Sequence, residues 1–352
     1  MPRSSDLPDV PTAPDVPDLP GLAEAGYLPT RVDPAAGLVH LTRLAHQDFR
    51  EVWYDDTVAA AGAGDEQAVA FSAFVDAYAD RRPGDHLRVI AHTSRCGSTL
   101  LANLLTLRTT TMVLKEPDFV TVPARAIALA ADEAEARAFE SLLTALLNYT
   151  CHAAAAAGRE PVVKITSWTV PLVTTALADS ESTSWLFLWR EPDKVVASNM
   201  ATPSTWGRDT ENGRAARRLA ARDGAGGACG AGGPDGDTAG FYADTWRRTV
   251  DSFLSADEGL RWRALDYRDL VADKSACLLA TEDWFVVAPD ALLPPGFEEE
   301  SRRYSKGGRA EVFDPASAHL RSPLEPAAAQ RVRAVTEQAL TALRARSRHQ
   351  LL

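Results

Sequence analysis

Trp185-Leu186-Phe187-Leu188-Trp189 narrows the fold more than any other stretch of this chain. Large apolar side chains stand at every position of a run too short for a buried helix. A strand sends alternate side chains to opposite faces, so a strand with no polar face must be covered on both. Leu87–His92, Thr111–Leu114 and Pro161–Thr166 read as strands of the same kind. Between them lie segments with helical spacing. These are Ser98–Leu107, then Ala124–Ala157 as two helices broken near Asp132, and a helix starting near Pro192. Phe241–Ala256, Lys274–Trp284 and a last stretch from Glu325 are also expected as helices, with a strand at Arg261–Tyr267. Strands alternating with helices predict a parallel sheet flanked by helices, a three-layer α/β/α domain covering residues 81–352.

Residues 1–80 are expected to form an N-terminal extension. The first twenty residues hold six prolines and four aspartates, a composition that resists packing, and they lack the basic start and apolar core of a secretory signal. Leu38–Leu44 and Val52–Tyr54 are expected as strands or a hairpin, and Glu66–Ala79 as a helix ended by Arg81-Arg82-Pro83-Gly84. Residues 223–240 hold eight glycines and read as a surface loop, or as a flap over an acceptor site.

A formal net charge of −11 argues against a nucleic-acid partner, although residues 301–352 carry ten Lys/Arg against four Asp/Glu. No apolar run approaches the ~20 residues that span a bilayer. The four cysteines, Cys96, Cys151, Cys229 and Cys277, form no metal-binding spacing. They read as reduced thiols of a cytoplasmic protein without a metal. Nothing in the sequence indicates an oligomeric state.

The stretch from His86 to Leu101 carries the chemistry. A buried strand ends at His92, Gly97 marks a tight turn, and a helix begins near Ser98. Such a turn aims backbone N–H groups and the positive end of the helix dipole at one point, which suits an anion. Arg95 adds a two-pronged cation, and Ser98 and Thr99 add hydroxyl donors. The Walker A pattern is absent, because its first glycine and its lysine are both missing.

Thr93-Ser94-Arg95-Cys96-Gly97-Ser98-Thr99-Leu100-Leu101 resembles the 5′-phosphosulfate loop of sulfotransferases, with Cys96 where that family has Ser or Thr. The resemblance implies that Arg95, Cys96, Gly97, Ser98, Thr99 and Leu100 contact the donor 3′-phosphoadenosine 5′-phosphosulfate (PAPS). A second stretch, from Trp185 through Arg190 to Ser198, is similar to the family's 3′-phosphate element. It implies that Arg190 and Ser198 hold the 3′-phosphate, with Pro192 suited to a first helical position. Leu265-Asp266-Tyr267-Arg268-Asp269-Leu270 resembles a third element and places Tyr267 near the adenine. Tyr304–Arg309 resembles a late basic loop, so that Lys306 or Arg309 would close over the nucleotide.

The resemblance also implies the catalytic groups. Branches with a histidine base carry it after Lys-Thr, and here that place reads Lys164-Ile165-Thr166. The carbohydrate and tyrosylprotein branches use a glutamate about nineteen residues past the loop glycine, which is Glu116 here. Pro117 is expected to keep Glu116 extended and aimed into the cleft. Lys164 and Arg95 are the matching electrophiles. The activity implied is sulfuryl transfer to a hydroxyl or amine of a small-molecule or carbohydrate acceptor. Two other readings stand beside it, a P-loop kinase or NTPase and a non-catalytic nucleotide-binding protein of the same fold. Trp168 and Trp206 would line an acceptor pocket or pack in the core.

Overall fold

The computed structural model describes residues 18–62, 65–79, 87–178, 180, 182–222, 237–256, 259–287, 292–303, 324–346 and 349–352. The chain opens with α1 (Leu19–Glu24) and a hairpin of β1 (Tyr27–Asp33) and β2 (Leu38–Arg43). After α2 (Tyr54–Ala61), β3 (Glu66–Ala70) pairs with β2 to complete an antiparallel sheet, and α3 (Phe71–Tyr78) follows at once.

Two expectations are corrected here. Glu66–Ala79 is not one helix, because Glu66–Ala70 pairs residue by residue with β2, from Thr42↔Glu66 to Leu38↔Ala70. The free edge of β2 offers ladder hydrogen bonds that outweigh local helical spacing. Val52–Tyr54 is no strand either. Residues 51–53 bend, and α2 starts at Tyr54.

The second sheet begins with β4 (Arg88–His92), followed by α4 (Ser98–Leu105), β5 (Thr111–Lys115), α5 (Asp118–Leu129) and α6 (Glu133–Ala156). The break between the last two is set by Asp132, whose side chain accepts from Glu135 N–H and caps α6. Then come β6 (Glu160–Lys164), α7 (Val170–Ala176), β7 (Ser184–Trp189) and α8 (Pro192–Ala201), with Pro192 in its first turn. α9 (Glu211–Arg222), α10 (Thr238–Ser255), β8 (Arg261–Asp266), α11 (Tyr267–Ala272), α12 (Lys274–Phe285), α13 (Phe297–Arg302) and a final helix (Pro326–Ala345) complete the described chain. The strand order is β5-β6-β4-β7-β8, and every neighbouring pair is parallel.

Alternate residues of these strands feed two separate cores. Val89, Leu114, Val163, Trp185 and Phe187 join a cluster with α6 and α10 residues such as Leu146 and Phe253. Ile90, Val113, Val162, Leu186 and Leu188 join another with Leu101 and Leu104 of α4 and Leu278 of α12. The protein is therefore a mixed α/β fold with a five-stranded parallel sheet between helical layers, as the apolar runs require. Leu28, Leu41, Tyr54 and Phe74 of the N-terminal part sit in the first cluster, so residues before 80 share that core.

The strand order also locates a ligand site. After β4 the chain runs toward β5, and after β7 it runs the other way, toward β8. In open parallel sheets the crevice at such a reversal, outside the carboxyl strand ends, is where ligands bind. Among the described residues no helix is long and apolar enough to cross a membrane. Among them, too, no group of three or more His, Cys, Asp or Glu is placed to hold a metal ion.

Candidate active site

The loop after β4 occupies this crevice. Thr93 N–H still reaches Leu188 O of β7 at 3.0 Å, and then the backbone leaves the sheet. Ser94 and Arg95 take left-handed conformations, with φ of 67° and 51°. Residues with a Cβ seldom stay there unless the surroundings hold them, and such strain gathers at functional sites. Gly97 caps α4 at φ 82°. A Cβ at this position would lie 2.8 Å from Leu270 Cδ2 and 3.3 Å from Tyr267 Cδ2, so α11 also requires a glycine here.

Ser98 and Thr99 open α4 and are buried. Thr99 Oγ1 has no hydrogen-bond partner among the described residues, which fits a hydroxyl reserved for a phosphate oxygen. Cys96 faces inward instead. Its Sγ donates to Leu188 O at 3.4 Å, and with Leu100 it belongs to the α4-side core. Arg95 Nη2 donates to Thr202 O at 2.6 Å, at the end of α8.

The ends of β7 and β8 supply a second group. The Arg190 guanidinium lies 4.4 Å from the centre of the Tyr267 ring, and its Nη1 donates to Arg95 O at 3.2 Å. Two hydrogen bonds fix its backbone, one from Arg190 N–H to Thr93 Oγ1 (3.3 Å) and one from Trp246 Nε1 to Arg190 O (2.9 Å). Ser198 is buried on α8, and its neighbour Asn199 meets Ser94 Oγ at 3.5 Å. Gly97, Arg190 and Tyr267 thus form one contiguous surface. Lys306 and Arg309 lie outside the described residues, as does nearly all of the glycine-rich segment.

A third group sits at the ends of β5 and β6. Lys115 and Lys164 are register partners, and Glu116 N–H donates to Lys164 O at 2.7 Å. Glu116 is not extended, contrary to the expectation from Pro117. Its φ is 53°, because the chain makes one last sheet hydrogen bond at Glu116 and must then turn into α5 at Asp118. The side chain nonetheless reaches the cleft. Lys164, fully buried, donates to Glu116 Oε1, and Thr166 Oγ1 lies 3.4 Å from Oε2. The Trp53 ring covers Lys164, its centre 5.4 Å from Nζ.

Lys115 is held apart, donating to Glu51 O (2.7 Å) and Asn103 Oδ1 (3.0 Å). Burial, reinforced by the charge of Lys164, pushes its pKa down from 10.5 to about 7. Between those two values the unfolded chain binds more protons than the folded one, so stability rises with pH across that window. The slope contributed is at most about 1.4 kcal/mol per pH unit. Lys115→Met should flatten this rise in urea unfolding measured from pH 7 to 10. An equal rise in the variant would show that Lys115 is charged throughout.

Sequence reasoning missed four members of the site: His92, Trp53, Asn103 and Thr166. Only His92 left a signal, as an imidazole at the end of a strand, beside the loop. Trp168 and Trp206 are buried with Tyr242 and Val332 in a third cluster, so they are core residues.

No protein-family profile matches this chain, and no curated protein does. Among solved structures, a sulfotransferase domain from the curacin biosynthetic pathway is similar, at 15% identity and a TM-score of 0.39. The likeness covers 72% of this chain and 96% of that one, and it is too slight to bear on fold or activity.

Proposed function

We propose that this protein is a sulfotransferase that moves a sulfuryl group from PAPS to a hydroxyl or amine of a small-molecule or carbohydrate acceptor. The observation that carries the reading is the meeting of three groups at one edge of the sheet. They are the strained loop at 93–97, the Arg190–Tyr267 stack and the Glu116–Lys164 pair. These groups come from segments far apart in sequence, and all lie at or just after the carboxyl ends of the strands. The loop and Thr99 would hold the 5′-phosphosulfate, Arg190 with Ser198 the 3′-phosphate, and Tyr267 the adenine.

In the reaction the bond between sulfur and the 5′-phosphate oxygen breaks as sulfur bonds to the acceptor oxygen. The acceptor proton passes to Glu116, and 3′-phosphoadenosine 5′-phosphate (PAP) leaves. Glu116 in its resting pair with Lys164 is a weak base. Taking the proton removes its charge and releases the Lys164 ammonium, which can then meet the negative charge growing on the transferred group. The buried setting strengthens that effect.

PAP should raise the melting temperature, by the equivalent of about 2.7 kcal/mol at a hundred times its Kd. ATP with Mg²⁺ should not. Radiolabelled PAPS incubated with phenolic, sugar and lipid alcohols should then identify the acceptor. Stabilisation by ATP–Mg²⁺ and not by PAP would favour the kinase reading, which the loop opposes by lacking the Walker lysine.

A further inference from the structure

We propose that His92 is a positioning residue that couples Glu116 to the phosphate loop, a role that rests on reading Glu116 as the base. His92 ends β4, is buried, and stands between the two. Its Nδ1 accepts the Ser94 N–H at 3.0 Å. An imidazole that accepts at Nδ1 is neutral and carries its proton on Nε2. That Nε2 lies 3.5 Å from Glu116 Oε1, so the N–H dipole stands beside the carboxylate.

This arrangement rules out one role and assigns another. His92 cannot take the acceptor proton, because its only lone pair is already occupied by the loop backbone. It can stabilise the ionised form of Glu116 and hold its carboxylate in place, beside Lys164, until the proton is taken. The left-handed turn at Ser94 is what directs that N–H back to residue 92. The loop strain and the orientation of the base are therefore two ends of one linkage.

The other groups facing Glu116 act in the same direction. Lys164 donates to it from β6 and Thr166 adds a hydroxyl, while Lys115 on β5 is held toward Glu51 O and Asn103 Oδ1. Protonation of His92 at Nδ1 would break the Ser94 bond. The neutral tautomer is thus the form that keeps the linkage intact.

Two substitutions separate the ends of the linkage. H92N keeps an acceptor for Ser94 N–H but cannot reach Glu116, whereas H92Q extends an amide N–H toward the carboxylate. The carboxyl carbon of Glu116 is followed by NMR in protein labelled with ¹³C-glutamate and assigned by its disappearance in E116Q. H92N should raise the Glu116 titration midpoint by about one pH unit, since the N–H dipole beside the charged form is lost. It should lower kcat ~10-fold and leave PAP affinity by calorimetry within ~3-fold, while H92Q recovers most of both losses.

A wild-type midpoint in H92N would overturn the proposal, and so would a loss of PAP affinity in step with kcat. The titration needs neither donor nor acceptor. A shifted midpoint in a protein that never turns over PAPS would therefore reject the sulfotransferase reading and leave the coupling intact.

Discussion

Glu116→Gln should lower turnover of PAPS by ~10²-fold or more, the scale of losing a general base, while PAP should bind as in the wild type. The separation of the two effects follows from the layout. Glu116 stands at the end of β5 and faces His92 at the end of β4, whose bond from Ser94 N–H does not depend on the charge of Glu116. The same variant is also less stable. Lys164 is fully buried and would lose its counter-charge, and breaking a buried ion pair from one side costs about 3–5 kcal/mol. Kinetics must be read at a temperature where the variant is folded, checked by its circular dichroism. Near-normal turnover in the folded variant would remove Glu116 from the chemistry.

Arg190→Ala should weaken PAP binding ~10²-fold, which calorimetry measures directly. Arg190 offers a planar fork already ordered by the Tyr267 ring and the Arg95 carbonyl, so little rotamer entropy remains to be lost on binding. Arg190→Lys should recover little, because an ammonium neither stacks on the ring in that way nor donates as a fork. Unchanged affinity in Arg190→Ala would take the 3′-phosphate away from the end of β7.

The sheet was legible because its signal is local and strong. Five apolar side chains in Trp185–Trp189 leave few ways to be buried, and Asp132 and Pro192 mark helix starts by chemistry that needs no distant partner. The loop and Arg190 were legible for a similar reason, since each sits at a strand end that the sequence itself announces. What sequence missed depended on contacts from elsewhere. Glu66–Ala70 becomes a strand only because β2 has an open edge. Trp53 reaches Lys164 because residues 51–53 bend, and no local pattern marks that bend. Glu116 turns left-handed because a last sheet bond and the start of α5 compete for two adjacent residues. The importance of His92 rests on a carboxylate that is distant in sequence, and so it appears only in three dimensions.

The inward turn of Cys96 has a consequence for oxidation and alkylation. Such reagents are attacked by thiolates, and they need a thiol they can reach. Cys96 has its sulfur against Leu188 O in the core, and burial pushes both Cys151 and Cys277 up to about 12. At the described positions sulfur serves as packing. The loop after β4 carries a cysteine inside its motif and should nevertheless keep its shape under oxidising and reducing conditions alike.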